Sequence, residues 1–277
     1  MALHPPQGLG GTVEIVFGVH SVTEAVRVRP SDLDHVTLLS GPPNPRLAAL
    51  LELCRAARVR IAYGSRDDLA RMSRTENHGG AVAFLRERKA LTFEDLLQPA
   101  TSAKRFLLAL DGVEDPHNLG ALLRTADGAG VDGVLMPERR SAPLSGTVAK
   151  ASAGATEHVR VARVTNLVRS LEELKRQNIW IVGLDERGTM DYDQFDFQAD
   201  IALVLGREGA GLHDLTRRTC DFLLRVPMAG AVPSLNVSVA GAVVMYEAAR
   251  QRRRAMAPPV AVEPAPKPSK PRKGLGS

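Results

Sequence analysis

Cysteine is nearly absent from this chain. Its 277 residues hold two, Cys54 and Cys220, too few and too far apart for a disulfide framework or a thiolate metal site. Two isolated thiols fit a reduced, cytoplasmic setting. Aromatic residues make up 4% of the chain, with one Trp. The core must therefore be built from Ala, Val and Leu, and recognition by extensive base stacking is disfavoured. Long hydrophobic runs are also missing. No apolar stretch reaches membrane-spanning length without a polar or charged break, so no membrane partner is expected. The start, "MALHPPQGLGGTVEIVFG", has no basic lead before an apolar stretch, and a secretory leader is not expected either.

What is present describes a globular chain with one biased end. Hydrophobic residues are 44% and charged residues 24%, ordinary values for a folded domain. The net charge is +5, but it is not spread evenly. Residues 251–277 carry seven Lys and Arg against one acidic residue, and the rest of the chain is close to balanced. This Pro- and Lys-rich tail cannot bury a core and is expected to be disordered. It suits an RNA contact, or simple solubilisation.

Residues 13–86 alternate short apolar runs with helical patterns. "VEIVFG", "HVTLLS", "VRIAY" and "GAVAFL" read as strands. "VHSVTEAVRV" and "PNPRLAALLELCRAAR" read as helices, the second with Pro45 near its first turn. Residues 1–12 are expected to be disordered. Residues 87–104 lose the pattern and read as a linker. From 105 to 250 the beat restarts with "RFLLALD", "NLGALLRTADGAG", "VDGVLMP", "HVRVARV", "NLVRSLEELKRQ", "IWIVGLD", "IALVLG" and "DFLLRVP". Apolar strands alternating with helices predict an α/β fold with a parallel sheet covered on both faces.

A literal G-x-G-x-x-G occurs at Gly128, Gly130 and Gly133. A dinucleotide loop must follow a strand and open a helix; these glycines follow a helix and open a strand, so Gly128 and Gly130 read as helix C-cap residues. A nicotinamide dehydrogenase is disfavoured on that ground. "LVLGREGAGL" (203–212) sets Gly206, Gly209 and Gly211 directly after an apolar strand, where open α/β sheets place ligands. In "LDGVEDPHNLGALLRTAD" (110–127), Asn118 is a candidate N-cap. Gly120 and Arg124 share a helix face, with open space expected beneath the arginine head for an anion such as a phosphate. In "VPSLNVSVAG" (232–241), Ser234, Asn236 and Ser238 alternate with apolar residues like a strand. Their place ahead of an Ala/Gly/Val run reads better as a helix start, with Ser234 as its cap.

Taken together, "NLGALLRTAD", "LVLGREGAGL" and "VPMAGAVPSLNVSVAGAVVMYE" resemble, in order and spacing, the motifs of the SpoU family of RNA 2′-O-ribose methyltransferases. The resemblance covers about residues 105–250. The module that starts "IVFGVHSVTEAV" resembles the small ribosomal-protein-L30-like substrate-binding domain of the subgroup that methylates 23S rRNA.

This resemblance implies a trefoil-knotted C-terminal domain, S-adenosylmethionine as methyl donor, a homodimer with the knot region at the interface, and 23S rRNA guanosine as substrate. Within the class, tRNA or another rRNA nucleotide is the alternative substrate. A non-catalytic RNA-binding protein of the same fold is the alternative from another class. Carried over by position, Gly206, Val226 and Leu235 should line the cofactor pocket. Asn118, Arg124, Glu208, Ser234 and Asn236 should form the reaction centre. The basic tail is not part of the family pattern.

Overall fold

Two sheets organise the chain. The computed structural model describes residues 13–86, 88, 91–98 and 104–256. The expected disordered start, residues 87, 89, 90 and 99–103 of the expected linker, and the tail from 257 onward lie outside the described residues.

The first unit runs β1 (Val13–Phe17), α1 (Val19–Val28), β2 (Leu33–Leu39), α2 (Pro45–Ala56), β3 (Ile61–Gly64), α3 (Arg66–Ser73) and β4 (Ala81–Arg86). Its sheet has the order β1-β4-β2-β3. Helices α1 and α2 cover one face through Val22, Val26, Leu47 and Leu50, and α3 covers the other through Leu69 against Phe17, Val82 and Phe84. The sequence reading missed α3. Its start is written locally: Ser65 accepts from the Asp68 amide and the Asp68 side chain reaches back to Ser65 N, a reciprocal capping box. Its eight residues hold only three apolar side chains, Leu69, Ala70 and Met72, which hid it.

A short helix, α4 (Phe93–Leu97), occupies part of the segment read as linker, and its Leu96 is buried. The second unit then runs β5 (Phe106–Leu110), α5 (Pro116–Ala129), β6 (Gly133–Pro137), α6 (Gly146–Ala151), β7 (Val161–Val164), α7 (Leu167–Arg176), β8 (Trp180–Leu184), β9 (Met190–Asp191), β10 (Ile201–Leu205), α8 (Asp214–Thr219), β11 (Phe222–Arg225) and α9 (Val237–Met256). The strand order is β7-β6-β5-β10-β8-β11-β9, and every pairing is parallel.

The central strands β5 and β10 are buried along their whole length, as a parallel sheet covered on both sides requires. Alternation divides their side chains between two cores. Phe106, Leu108 and Leu110 meet Leu119 and Leu122 of α5 and Val244 and Met245 of α9. Leu107 and Ala109 meet Leu171 and Leu174 of α7 on the opposite face. Helix α9 reaches Met256, so residues 251–256 belong to the folded unit and not to a disordered tail. Arg252 explains the extension: its guanidinium donates to the carbonyls of Phe197, Ala199, Lys104 and Arg105.

The two units pack through α6 and the turn after it. Ser21 Oγ donates to Ala149 O at 2.9 Å. Arg29, 9% exposed, donates to Glu157 Oε2 and Glu14 Oε2, each at 2.9 Å. Arg88 also pairs with Glu157. Gly146 admits the close approach of Ile15 O and the Phe17 ring, which a Cβ would block.

Candidate active site

The site forms at the carboxyl ends of β8, β10 and β11, where parallel sheets present their loops to ligands. After β10 the chain doubles back: Arg207 N donates to Gly211 O and Gly211 N to Arg207 O, both at 3.0 Å. Gly209 and Gly211 take φ values of +71° and +65°, a conformation glycine adopts without strain. Gly206 lies against this return, and a Cβ there would collide with the Gly211 backbone. The loop presents Glu208 outward.

A pocket opens beside this loop. Its walls include Leu184 at the end of β8 and Asp185 after it, Leu205 at the end of β10 and Gly206 and Glu208 after it, Val226 after β11, and Ser234 and Leu235 before α9. The expected cofactor residues Gly206, Val226 and Leu235 thus share one cavity. Its character fits an adenosyl sulfonium ligand: leucine and valine surface for a base, a glycine cradle for close backbone approach, and carboxylates for hydroxyl or cationic groups. Asp185 Oδ2 is buried there without a hydrogen-bond partner. Sequence reading missed Asp185, although "GLDERG" follows an apolar strand just as the glycine loop does.

Beside the pocket three side chains close a ring. Asn118 Nδ2 donates to Glu208 Oε2 at 2.9 Å. Asn236 Nδ2 donates to Glu208 Oε1 at 2.8 Å and to Asn118 Oδ1 at 3.0 Å. Asn236 Oδ1 in turn accepts from Ser238 N at 2.9 Å and Ser238 Oγ at 2.6 Å. One residue from each of three distant segments is held by the other two, and Glu208 accepts on both oxygens.

Several local expectations are corrected here. Asp115, not Asn118, caps α5: its carboxylate accepts from His117 N and Asn118 N, with Pro116 at the first helical position. That frees the Asn118 amide for the ring. Asn236, not Ser234, caps α9, because its side-chain oxygen reaches the Ser238 amide and its carbonyl accepts from Ala240 N. Ser234 stays in the loop, exposed on the pocket wall. No open space lies under Arg124 at Gly120, where a Cβ would run into Ala151; the glycine lets α5 and α6 touch. Arg124 itself is exposed, outside the ring and outside the pocket wall. Six residues beyond Asn118, it sits about 9 Å further along the helix. Of the two glycines read as C-caps, Gly130 is the cap with φ +73°, while Gly128 remains inside α5.

Among the described residues no group of His, Cys, Asp and Glu could hold a metal ion, and no helix is long and apolar enough to cross a membrane.

Comparisons with known proteins identify the family. The family model "SpoU rRNA Methylase family" matches residues 105–246, and "RNA 2'-O ribose methyltransferase substrate binding" matches residues 15–90. The chain is similar to the 23S rRNA (guanosine-2'-O-)-methyltransferase RlmB of Vibrio vulnificus (strain CMCP6), 42% identical over 240 residues, covering 86% of this chain and 97% of the relative. RlmB of Pseudomonas aeruginosa (strain PAO1) is 44% identical over 243 residues, with 86% and 97% covered. Among solved structures, the SpoU methyltransferase AviRb from Streptomyces viridochromogenes, in complex with AdoMet, superposes with a TM-score of 0.73 at 25% identity, covering 87% of this chain and 91% of that one. A structure described as an RNA 2'-O ribose methyltransferase gives 0.74 at 27% identity, with 87% and 89% covered. By sequence and by fold, the chain belongs to the SpoU rRNA methylase family.

Proposed function

We propose that this protein catalyses S-adenosylmethionine-dependent 2′-O-methylation of a guanosine ribose in 23S rRNA. The ring of Asn118, Glu208 and Asn236 at the rim of an apolar pocket carries the proposal. It joins three sequence-distant segments at one point beside a cavity suited to an adenosyl ligand.

The bound cofactor would supply an electrophilic methyl on a sulfonium. Gly206, Val226 and Leu235 hold its nucleoside, the glycine by close backbone approach and the other two by apolar surface. The ribose hydroxyl must lose its proton as the new O–C bond forms. Arg124 is a poor base, because a guanidinium stays protonated. Its exposed, unpaired head instead grips the neighbouring phosphate and stabilises the developing alkoxide. A phosphate oxygen or a water takes the proton. Both Glu208 oxygens are occupied by amides, so its role is to fix Asn118 and Asn236, which orient the ribose with Ser234.

The unit of residues 13–86 selects the target, and RNA is read mostly through shape, exposed bases and 2′-hydroxyls. A homodimer is part of this reading: Val239 and Tyr246, each 49% exposed, lie seven residues apart on one face of α9, which a second copy would cover. The same reading includes the trefoil knot at the C-terminal segments, a cytoplasmic location, and an RNA contact for residues 257–277.

The test is to incubate the protein with labelled S-adenosylmethionine and undermethylated total RNA, then map the product. Label at a 23S rRNA guanosine 2′-oxygen is expected. Label confined to tRNA overturns the substrate. No incorporation despite cofactor binding favours a binding-only protein.

A further inference from the structure

Asp185 stands at the end of β8, between the ends of β10 and β11 that carry Gly206 and Val226. Its side chain is 1% exposed. Its two oxygens do different work. Oδ1 accepts from Arg187 N at 3.0 Å and closes the turn 185–187. Oδ2 is buried and has no partner. An unpaired buried acceptor on a charged group is costly, and nothing in the turn requires it.

Oδ2 lies beneath the pocket wall, against Gly211. The residue is part of the pocket wall, and opposite it stands Gly211. A Cβ on Gly211 would lie 3.3 Å from Oδ2, so the glycine leaves that approach clear of side chain. The methyl group of the cofactor must face the ring of Asn118, Glu208 and Asn236. Gly206, Val226 and Leu235, assigned above to the nucleoside, line the same pocket as Asp185. The donors of a nucleoside sugar are its two hydroxyls, and a carboxylate is their strongest neutral-donor acceptor. We propose that Asp185 Oδ2 accepts a hydrogen bond from the ribose diol of the bound cofactor. Asp185 is thus a cofactor-specificity residue for the sugar, resting on the cofactor pocket assigned above.

Asp185→Asn isolates the effect. The carboxamide oxygen keeps the turn acceptor, and the amide replaces Oδ2 with a donor. Calorimetric titration with S-adenosylhomocysteine and with its 2′,3′-dideoxyribose analogue reads binding without turnover. The variant is expected to bind S-adenosylhomocysteine roughly 10- to 100-fold more weakly than the wild type, the range of a hydrogen bond to a charged group. It is expected to bind the dideoxy analogue within threefold of the wild type. Undiminished S-adenosylhomocysteine binding, or an equal penalty on the dideoxy analogue, overturns the proposal. If the wild type itself fails to bind S-adenosylhomocysteine, the pocket assignment falls and this proposal with it.

Discussion

Asn236 and Glu208 are 28 residues apart in sequence, yet Asn236 Nδ2 lies 2.8 Å from Glu208 Oε1. The same asparagine caps α9 with its other polar atom. The residue that starts the last helix therefore also fixes the carboxylate of the glycine loop. Any shift of α9 moves Glu208, and through it Asn118.

Replacing Glu208 by Gln tests this coupling. A carboxylate accepts on both oxygens; a carboxamide accepts on one and donates on the other, and its donor would face one of the two asparagine amides. The expected loss is about 1–3 kcal/mol in transition-state stabilisation, read as a drop of roughly 5- to 150-fold in kcat/KM with cofactor Kd little changed. Wild-type turnover in the variant would show the ring to be incidental.

Arg124 has no hydrogen-bond or ion-pair partner among the described residues and is exposed, so removing it should leave the fold intact. Arg124→Ala is expected to lower methyl transfer by about 10²–10³-fold, the scale of losing one charge-stabilising donor. Arg124→Lys should retain part of the rate. Equal, complete loss in both variants with unchanged RNA binding would contradict simple charge stabilisation.

Gly206→Ala should fail for a backbone reason. The added methyl meets the Gly211 carbonyl segment, which has no rotamer with which to yield. Displacement of the 206–211 return and loss of cofactor binding are expected, with the far-ultraviolet circular dichroism of the two sheets preserved.

The ion pair between the two units is buried, so breaking it should cost more than a surface pair. Glu157 has a side chain 2% exposed and pairs with Arg29. Burial disfavours the Arg29 charge, but Glu14 and Glu157 together outweigh it and raise its pKa. Glu157→Ala is expected to destabilise by about 3–5 kcal/mol. Joint replacement of Arg29 and Glu157 by Met should recover much of that loss, read from urea midpoints.

The two cysteines predict alkaline sensitivity. Burial pushes the Cys54 thiol from 9.0 up to about 11, and burial, opposed by Lys175, pushes Cys220 up to about 12. Each folded value lies above the unfolded one, so this contribution is complete below pH 9. It declines as pH rises toward 11, by on the order of 2–3 kcal/mol for Cys54. Urea midpoints should fall between pH 8 and pH 10.5, and Cys54→Ala should flatten that slope. Neither thiol should react with a disulfide reagent at pH 8 before unfolding.

Much of the architecture was legible from local pattern. The apolar runs at 106–110 and 201–205 predicted buried parallel strands, since two covered faces leave no polar positions. The glycine spacing at 206, 209 and 211 marked a loop at a strand end, and the small-residue run after Asn236 marked a close-packing helix. Short-range competition was harder to read. Asp115 outbid Asn118 as a cap because Pro116 set the helix start one turn earlier than expected. Helix α3 was hidden because its cap carries the signal and its eight residues are mostly polar.

By itself the sequence determined most of the longer strands and helices, since hydrophobic period and capping act within a few residues, but not α3, α4, β9 or α8. It also determined the order of the motifs that resemble the family. Only the tertiary structure decided which side chains meet. Asn118, Glu208 and Asn236 become neighbours because β10 lies beside β5 and α9 packs along α5. Asp185 becomes a wall of the same pocket because β8 is inserted between β10 and β11. Strand order is set by global packing of both sheet faces, a long-range balance that no local stretch encodes.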